Sequence, residues 1–136
     1  MRSLLLTATC LVSAATSALA AQPATRALDA QRWAVLVGVD KYLHIKPDLN
    51  YCGADVRALG EKLIQSGFGR ERVVVLHDQA PPALYPSKAN IERQFRLTLE
   101  AAGPNDFVLV AFSGHGVRLE GRSYLCPADG QMDPAQ

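Results

Sequence analysis

Three short apolar runs, separated by two segments with helical spacing, form the main pattern of this chain. The runs cover residues 33–39, 72–76 and 107–112, and each is rich in β-branched or aromatic residues. Unbroken runs of this kind are typical of strands that are buried on both faces of a parallel sheet. We therefore predict three parallel strands, of which those at 33–39 and 107–112 are expected to be buried on both faces.

The segments between these runs predict two helices. Apolar residues recur at helical spacing from Val56 to Ile64, Asp55 is placed to cap or charge the first turn, and Gly67 ends the helix. Ser87 caps the second helix, and Gly103 with Pro104 ends it. Its apolar face is predicted to hold Ile91, Phe95, Thr98, Leu99 and Ala102.

The order β-α-β-α-β with short connections indicates an α/β fold, a mostly parallel sheet with right-handed crossovers. A small hairpin is expected after the third strand, with 117–119 and 123–125 flanking a turn at 120–122. The chain of 136 residues is 49% hydrophobic, enough for one domain with its own core. A net charge of +1 gives no reason to expect nucleic acid or an anionic membrane as a partner.

The amino-terminal segment predicts a secretory signal peptide over residues 1–20. A short basic start is followed by an uncharged apolar stretch and by Ala18-Leu19-Ala20, an A-x-A cleavage site. A membrane anchor is the weaker alternative, because the stretch is short and rich in Ala, Ser and Thr. Residues 21–31 are then a linker, residues 32–136 form the domain, and the mature protein is secreted or periplasmic.

Two cysteines, Cys52 and Cys126, belong to the mature chain, since Cys10 lies in the predicted signal peptide. In an oxidising compartment the simplest expectation is that they form one disulfide. Their separation along the chain neither favours nor forbids that bond.

The carboxyl ends of the three strands meet at one edge of the sheet, where open α/β folds place their chemistry. That edge collects Asp40, the loop 52–55, His77 and the turn 113–116. His115 is the strongest candidate for chemistry, because glycines on both sides permit a sharp turn and close approach, and the Gly116 amide can donate to an oxyanion. The alternative is a histidine that only stabilises its own turn. His77 lacks the flanking glycines, and we interpret both His77 and His44 as structural or solvated.

Most other reaction classes do not fit these residues. Ser113 is not in a G-x-S-x-G elbow, no phosphate-binding glycine loop follows the first strand, and the histidines and cysteines lack zinc-ligand spacing. A cysteine–histidine hydrolase remains, in which an imidazole activates a thiol and protonates the leaving amine. Cys52 could approach His115 as the nucleophile, whereas Cys126 has a position that looks structural.

Four segments, and a fifth at the end of the domain, resemble the caspase-like cysteine peptidases of clan CD, including bacterial caspase-like proteins and metacaspases. Residues 112–116, FSGHG, are similar to the [FY]-S-G-H-G segment that carries the catalytic histidine. Residues 32–42 resemble the first strand with its G-[IV]-[ND]-x-Y ending, 49–56 resemble L-x-x-C-x-x-D-A, and 87–91 resemble the start of the second helix. Residues 124–130 are similar to Y-L-x-P-x-D-G, so the resemblance spans nearly the whole domain.

The resemblance implies a three-layer caspase-like fold and a role for each matched residue. His115 becomes the general base and acid, and Gly116 supplies an oxyanion-hole amide. Cys52, Asp55 and Ser113 line the pocket for the residue before the scissile bond, and a carboxylate there implies Arg or Lys at that position. The alternative is that Asp55 only caps the helix.

One part of the family pattern is expected to be missing from this chain. The nucleophilic cysteine of the family lies in a D-x-C-x-[SA]-G segment after the next strand, and neither Cys52 nor Cys126 matches that motif. We therefore expect the amino-terminal (p20) portion of a peptidase, inactive alone, with an open sheet edge and a partner in the missing carboxy-terminal segment. A non-catalytic module that binds peptides or a partner is the alternative. The expected ligand is a peptide or protein substrate, and no cofactor or metal is expected, since calcium is suggested only by family analogy.

Overall fold

The computed structural model of the chain describes residues 30–131. The predicted signal peptide and nearly all of the predicted linker lie outside the described residues. The strands are β1 (Arg32–Gly38), β2 (Val73–His77), β3 (Phe107–Ser113), β4 (Gly116–Leu119) and β5 (Arg122–Leu125), and the helices are α1 (Cys52–Gln65) and α2 (Lys88–Ala101). Two short 3-10 turns, Arg70–Arg72 and Pro82–Leu84, precede β2 and α2. Both helices and the order of elements agree with the prediction.

The first three strands form a parallel sheet in the order β2-β1-β3. Leu36 of the central strand pairs with Val75 on one side and with Ala111 on the other. Because all three strands run in the same direction, Gly38, His77 and Ser113 end at the same edge. The sheet with its helices confirms a partial α/β caspase-like architecture.

Strand β3 differs from the expected strand that is buried on both faces. Within residues 30–131 it pairs only with β1, and Phe107 and Val110 are 53% and 51% exposed. The best-covered strand is β1, in which residues 34–37 have an exposure of 1% or less. An apolar run indicates that a strand packs against something, but it does not tell which neighbouring element covers it.

Alternate residues of β1 enter two separate cores, one on each face of the sheet. Ala34 and Leu36 pack with α1 residues such as Val56, while Val35 and Val37 pack with Ile91 and Phe95 of α2. This alternation places one helix on each side of the sheet and makes three layers. Leu99 was predicted on the apolar face of α2 but is 62% exposed, since Ile91, Phe95 and the 5% exposed Thr98 form the narrower stripe that packs inward.

The backbone amides in the first turn of α2 donate hydrogen bonds to side-chain oxygens outside the helix, and the first turn of α1 packs against the end of β1. Ser87 Oγ accepts a hydrogen bond from Asn90 N at 3.4 Å, as expected of a cap, and Asp129 accepts one from Lys88 N at 2.8 Å. Gly38 lies directly under the start of α1, because a Cβ there would come within 2.4 Å of the Cys52 carbonyl oxygen. The end of β1 and the start of α1 are therefore in direct backbone contact.

A two-residue turn joins β4 to β5, tighter than the expected three-residue turn. Glu120 and Gly121 have φ values of 47° and 78°, the left-handed pair that a type I′ hairpin requires. Beyond β5, Leu43 N donates to Ala128 O at 2.9 Å and Ala128 N donates to Pro86 O at 3.0 Å. These bonds attach the segment after the hairpin to the loops that follow β1 and precede α2. None of the helices among residues 30–131 is long and apolar enough to cross a membrane.

Candidate active site

The ends of β1 and β3, together with the start of α1, bring four of the predicted site residues close to one another. Val39 N donates to Ser113 O at 2.9 Å, which holds the segment after β1 against the end of β3. Cys52 is the first residue of α1, and its thiol and the Ser113 side chain are joined by a hydrogen bond. His115 lies two residues after Ser113 in the chain, and Gly116 is the first residue of β4.

The His115 imidazole is oriented by a backbone carbonyl. Its Nε2 lies 2.7 Å from the oxygen of Pro47. A carbonyl oxygen can only accept, so in the neutral ring this contact requires the proton to be on Nε2. Nδ1 then keeps its lone pair, and the ring can act as a base through that nitrogen.

The backbone of His115 is held by Tyr42. The His115 amide donates to the Tyr42 hydroxyl at 2.6 Å, and the two rings are tilted by 42° with their centroids 4.9 Å apart. Gly114 makes this approach possible, because a Cβ there would lie 2.7 Å from the Tyr42 hydroxyl. The glycine before His115 therefore serves close packing against Tyr42.

The Gly116 amide is not used in the hairpin ladder. Gly116 and Leu125 face each other in the antiparallel pair, and Cys126 N donates to His115 O at 2.9 Å beside them. That bond makes Gly116 and Leu125 a non-hydrogen-bonded pair, so the Gly116 N–H is directed away from β5. Its orientation is compatible with the predicted oxyanion role.

Burial keeps Cys52 in its neutral thiol form. The residue is 9% exposed, and burial raises the pKa of its thiol. The hydrogen bond with Ser113 lowers that pKa, while the neighbouring carboxylates of Asp40 and Asp55 raise it. A neutral, buried thiol is a poor nucleophile, which argues against the hypothesis that Cys52 attacks the substrate.

Asp55 lies in the first turn of α1 but does not cap it. The cap comes from Asp40, whose two carboxylate oxygens accept from Cys52 N at 2.8 Å and from Gly53 N at 3.0 Å. Asp55 is exposed, and within residues 30–131 its carboxylate has no salt bridge. The alternative in which Asp55 is only a cap is therefore wrong, because a residue distant in sequence takes that place.

The expected disulfide is absent, since Cys52 and Cys126 are both free and buried. Cys52 packs at the start of α1 against Ser113, whereas Cys126 belongs to the core that contains Val39, Tyr42 and Ala128. Each thiol is thus fixed in its own packing environment. The core position of Cys126 agrees with the structural role predicted for it, and burial raises the pKa of its thiol.

The other two histidines do not join the site. His77 Nδ1 accepts a hydrogen bond from Gln79 N at 3.2 Å, and burial, helped by the charge of Arg57, lowers its pKa. This supports a structural role for His77. His44 is exposed on the loop after β1.

A cavity of about 400 Å³ opens at the carboxyl ends of β1 and β2, next to the His115 site. Asp40, His77 and Asp78 line it. The Asp40 carboxylate accepts hydrogen bonds from two backbone amides of α1. The Asp78 carboxylate accepts hydrogen bonds from Asp40 N at 2.7 Å and from Lys41 N at 3.2 Å. Both carboxylates are therefore engaged in hydrogen bonds to backbone amides. The predicted catalytic histidine, His115, does not line this cavity.

Sequence reasoning missed three groups that shape the site. Tyr42 was noted only as the last residue of the first-strand motif, and Asp40 only as a residue at the sheet edge. The Pro47 carbonyl has no side-chain signal at all, because any residue could present that oxygen. A tyrosine four residues after the end of β1 was the one signal from which a contact to the histidine turn could have been suspected.

Comparison with known proteins identifies the family. A family model described as the caspase domain of peptidase C14 matches residues 31–135. The chain belongs to the caspase-domain family. This match supports membership of a cysteine peptidase family.

The relatives of this caspase-domain chain include metacaspases of fungi and plants. It is 40% identical to Metacaspase-1A of Aspergillus niger over 88 residues, which cover 63% of this chain and 22% of that protein. It is 37% identical to Metacaspase-4 of Arabidopsis thaliana over 87 residues, 63% of this chain and 21% of that protein. The matched part thus spans about a fifth of the length of these curated relatives.

Proposed function

We propose that this caspase domain is the histidine-bearing part of a secreted cysteine endopeptidase that cleaves after Arg or Lys. The observation that carries the proposal is the His115 ring, placed at the end of β3 with Nε2 engaged by Pro47 O at 2.7 Å. The signal-peptide pattern of residues 1–20 supports secretion, which amino-terminal sequencing of the mature protein tests. We expect the mature chain to begin at Ala21.

In the proposed mechanism His115 carries a proton between thiol and leaving group. Nδ1 removes the proton of a cysteine thiol, while Nε2–H keeps its bond to the Pro47 carbonyl and stabilises the imidazolium that forms. The thiolate attacks the scissile carbonyl, the Gly116 N–H donates to the oxyanion, and the imidazolium protonates the departing amine. Water then hydrolyses the thioester with His115 again acting as base.

The nucleophile is proposed to come from a segment that is not in this sequence. Cys52 is buried, hydrogen-bonded to Ser113 and has a raised pKa, and Cys126 is 5% exposed in the core with a raised pKa as well. Neither thiol fits the requirement for an accessible thiolate. The 136-residue chain alone is therefore expected to be inactive.

The basic specificity is proposed to depend on Asp55. Its exposed carboxylate lies close enough to the Cys52 thiol to raise the pKa of that group, and Cys52 contacts Ser113 at the end of β3. A carboxylate that lacks a cation within residues 30–131 is suited to bind the guanidinium or ammonium of a substrate. Asp55, Cys52 and Ser113 would then form one side of the pocket.

Paired fluorogenic peptides with Arg or Asp before the scissile bond test the proposal on the natural protein. We expect cleavage of the Arg peptide only, and a loss of about 10²- to 10⁴-fold in kcat for His115→Ala. His44→Ala is the matched control, since His44 is an exposed histidine of the loop after β1. Cleavage of the Asp peptide, or full activity of His115→Ala, would contradict the proposal.

The role of Asp55 has its own pair of variants. Asp55→Asn should reduce kcat/KM for the Arg peptide by about 10- to 100-fold, the value of a hydrogen bond between charged groups. Glu61→Gln removes another exposed carboxylate of α1 and should change little. Equal losses in both variants would show a general charge effect and refute the pocket assignment, while peptide binding without turnover would favour the non-catalytic module.

A further inference from the structure

His115 is held at two points by a single loop, residues 40–49. Tyr42 of this loop accepts the His115 amide at 2.6 Å, and Pro47 of the same loop lies 2.7 Å from Nε2. The loop is closed at its base, where Leu49 N donates to Asp40 O at 2.8 Å. The backbone and the ring of His115 are thus set by one closed unit.

Tyr42 is fixed within this loop by burial and by its neighbours. It is 4% exposed and packs in the core with Val39, Cys126 and Ala128. Burial raises the pKa of its phenol to about 12, so the hydroxyl stays neutral. The adjacent Leu43 N donates to Ala128 O at 2.9 Å. These contacts leave the Tyr42 hydroxyl little freedom to follow a displaced His115.

The base of the loop is anchored from the far strand of the sheet. Asp78 directly follows β2, and its two carboxylate oxygens accept Asp40 N at 2.7 Å and Lys41 N at 3.2 Å. It is separated from His115 by β1, which lies between β2 and β3 in the sheet. Its influence on His115 therefore passes through the loop.

We propose that Tyr42 and Asp78 are positioning residues that set the location and the Nε2–H tautomer of His115 through the loop 40–49. The catalytic consequence rests on the proposed peptidase function, but the positioning does not. A ring displaced from Pro47 loses the acceptor that selects Nε2–H, so the proton distributes between both nitrogens. The fraction of rings with a free Nδ1 then falls.

Nuclear magnetic resonance of the full, ¹⁵N-labelled chain tests this without any turnover. In the parent protein we expect at least about a tenfold excess of the Nε2–H tautomer of neutral His115, the value of one well-formed hydrogen bond. Tyr42→Phe removes the acceptor of the His115 amide and should accelerate exchange of that amide about fivefold or more, with a reduced excess of Nε2–H. Tyr85→Phe is the matched control at a second, half-buried tyrosine, whose hydroxyl forms no hydrogen bond with His115.

Asp78 is tested by a graded pair. Asp78→Asn keeps one acceptor oxygen on the side chain, and Asp78→Ala keeps none. The excess of the Nε2–H tautomer of His115 should therefore fall further in Asp78→Ala than in Asp78→Asn. Asp106→Asn is the control, because Asp106 also accepts backbone amides, Gln31 N at 2.7 Å and Gly103 N at 2.9 Å, at the opposite end of the sheet. If Asp78→Ala does not fold, the Asn variant alone decides.

An unchanged His115 tautomer and amide exchange in Tyr42→Phe and Asp78→Asn would overturn the proposal, and so would equal changes in the two controls. The failure of the peptidase proposal is distinguishable from this result. If the natural protein cleaves no peptide, the tautomer measurement still decides whether these two residues position His115.

Discussion

Gly38→Ala is expected to separate α1 from the sheet at the edge that carries the site. A Cβ at position 38 would lie 2.4 Å from the Cys52 oxygen, 2.7 Å from its carbonyl carbon and 2.7 Å from Val56 Cγ2. Ordinary contacts begin at 3.4 Å, so the start of α1 would have to move by about 1 Å. Two of the three obstructing atoms belong to the backbone and cannot rotate away.

The cost is estimated from two opposing contributions. Overpacking of this kind costs about 1–3 kcal/mol, and the backbone obstruction places Gly38→Ala near the upper value. Alanine also lowers the entropy of the unfolded chain, which returns about 0.4–1 kcal/mol. The net loss is about 2 kcal/mol of the free energy of unfolding, or about 8–16 °C in Tm for a domain of this size.

Urea unfolding followed by the fluorescence of Trp33 measures this loss, because Trp33 is the single tryptophan and belongs to β1. Gly103→Ala is the control, since a Cβ there meets nothing closer than 3.7 Å, and it should change the free energy by less than about 0.5 kcal/mol. A Gly38→Ala protein within about 0.5 kcal/mol of the parent, with the same m value, would refute the close contact.

Three further predictions concern stability and thiol reactivity. Hydrogen bonds from Gly103 N, Trp33 Nε1 and Gln31 N lower the pKa of Asp106 in the folded protein. The stability that the ionised Asp106 contributes is therefore complete above the ordinary carboxyl pKa of about 4, and it is lost as the pH falls through the lower pKa of the folded state. The difference in Tm between the parent and Asp106→Asn should accordingly be largest at pH 7 and should disappear at acidic pH. A difference in Tm that does not change with pH would contradict this. Cys52 and Cys126, both buried with raised pKa values, should react with iodoacetamide at least about tenfold more slowly in the folded protein than in urea, by mass spectrometry. Rapid labelling of Cys52 would restore it as a nucleophile candidate. Ser87→Ala should cost about 0.5–1 kcal/mol by urea unfolding, since the 3.4 Å cap bond to Asn90 N is long; a loss above 2 kcal/mol would show a further role.

The elements of the fold could be predicted because each has a local cause. The β-branched residues of β1 and β2 favour strands, Ser87 marks the start of α2, and Gly103 with Pro104 follows its end. The exposure of Val110 could not be predicted, because burial depends on which elements cover a strand and not on its own composition.

The site was predictable only where side-chain types carry the signal. Motif and strand position were enough to select His115, Cys52 and Ser113, and the structure brings them to the same edge. The same reasoning allowed Asp55 either to cap or to charge the first turn of α1, whereas the cap is provided by Asp40, twelve residues before Cys52. Contacts between distant segments leave no periodic pattern in the sequence.

The amino-acid pattern alone was sufficient to determine a parallel α/β sheet, a histidine turn at its edge and membership of a caspase-like family, because propensity, periodicity and motifs are properties of neighbouring residues. Only the tertiary structure decided that β1 is the covered strand, that both cysteines are free, and that Tyr42 and the Pro47 carbonyl hold His115. These features depend on packing and on backbone atoms, which every residue carries alike. The direction of a carbonyl group becomes defined only when the chain has folded around it.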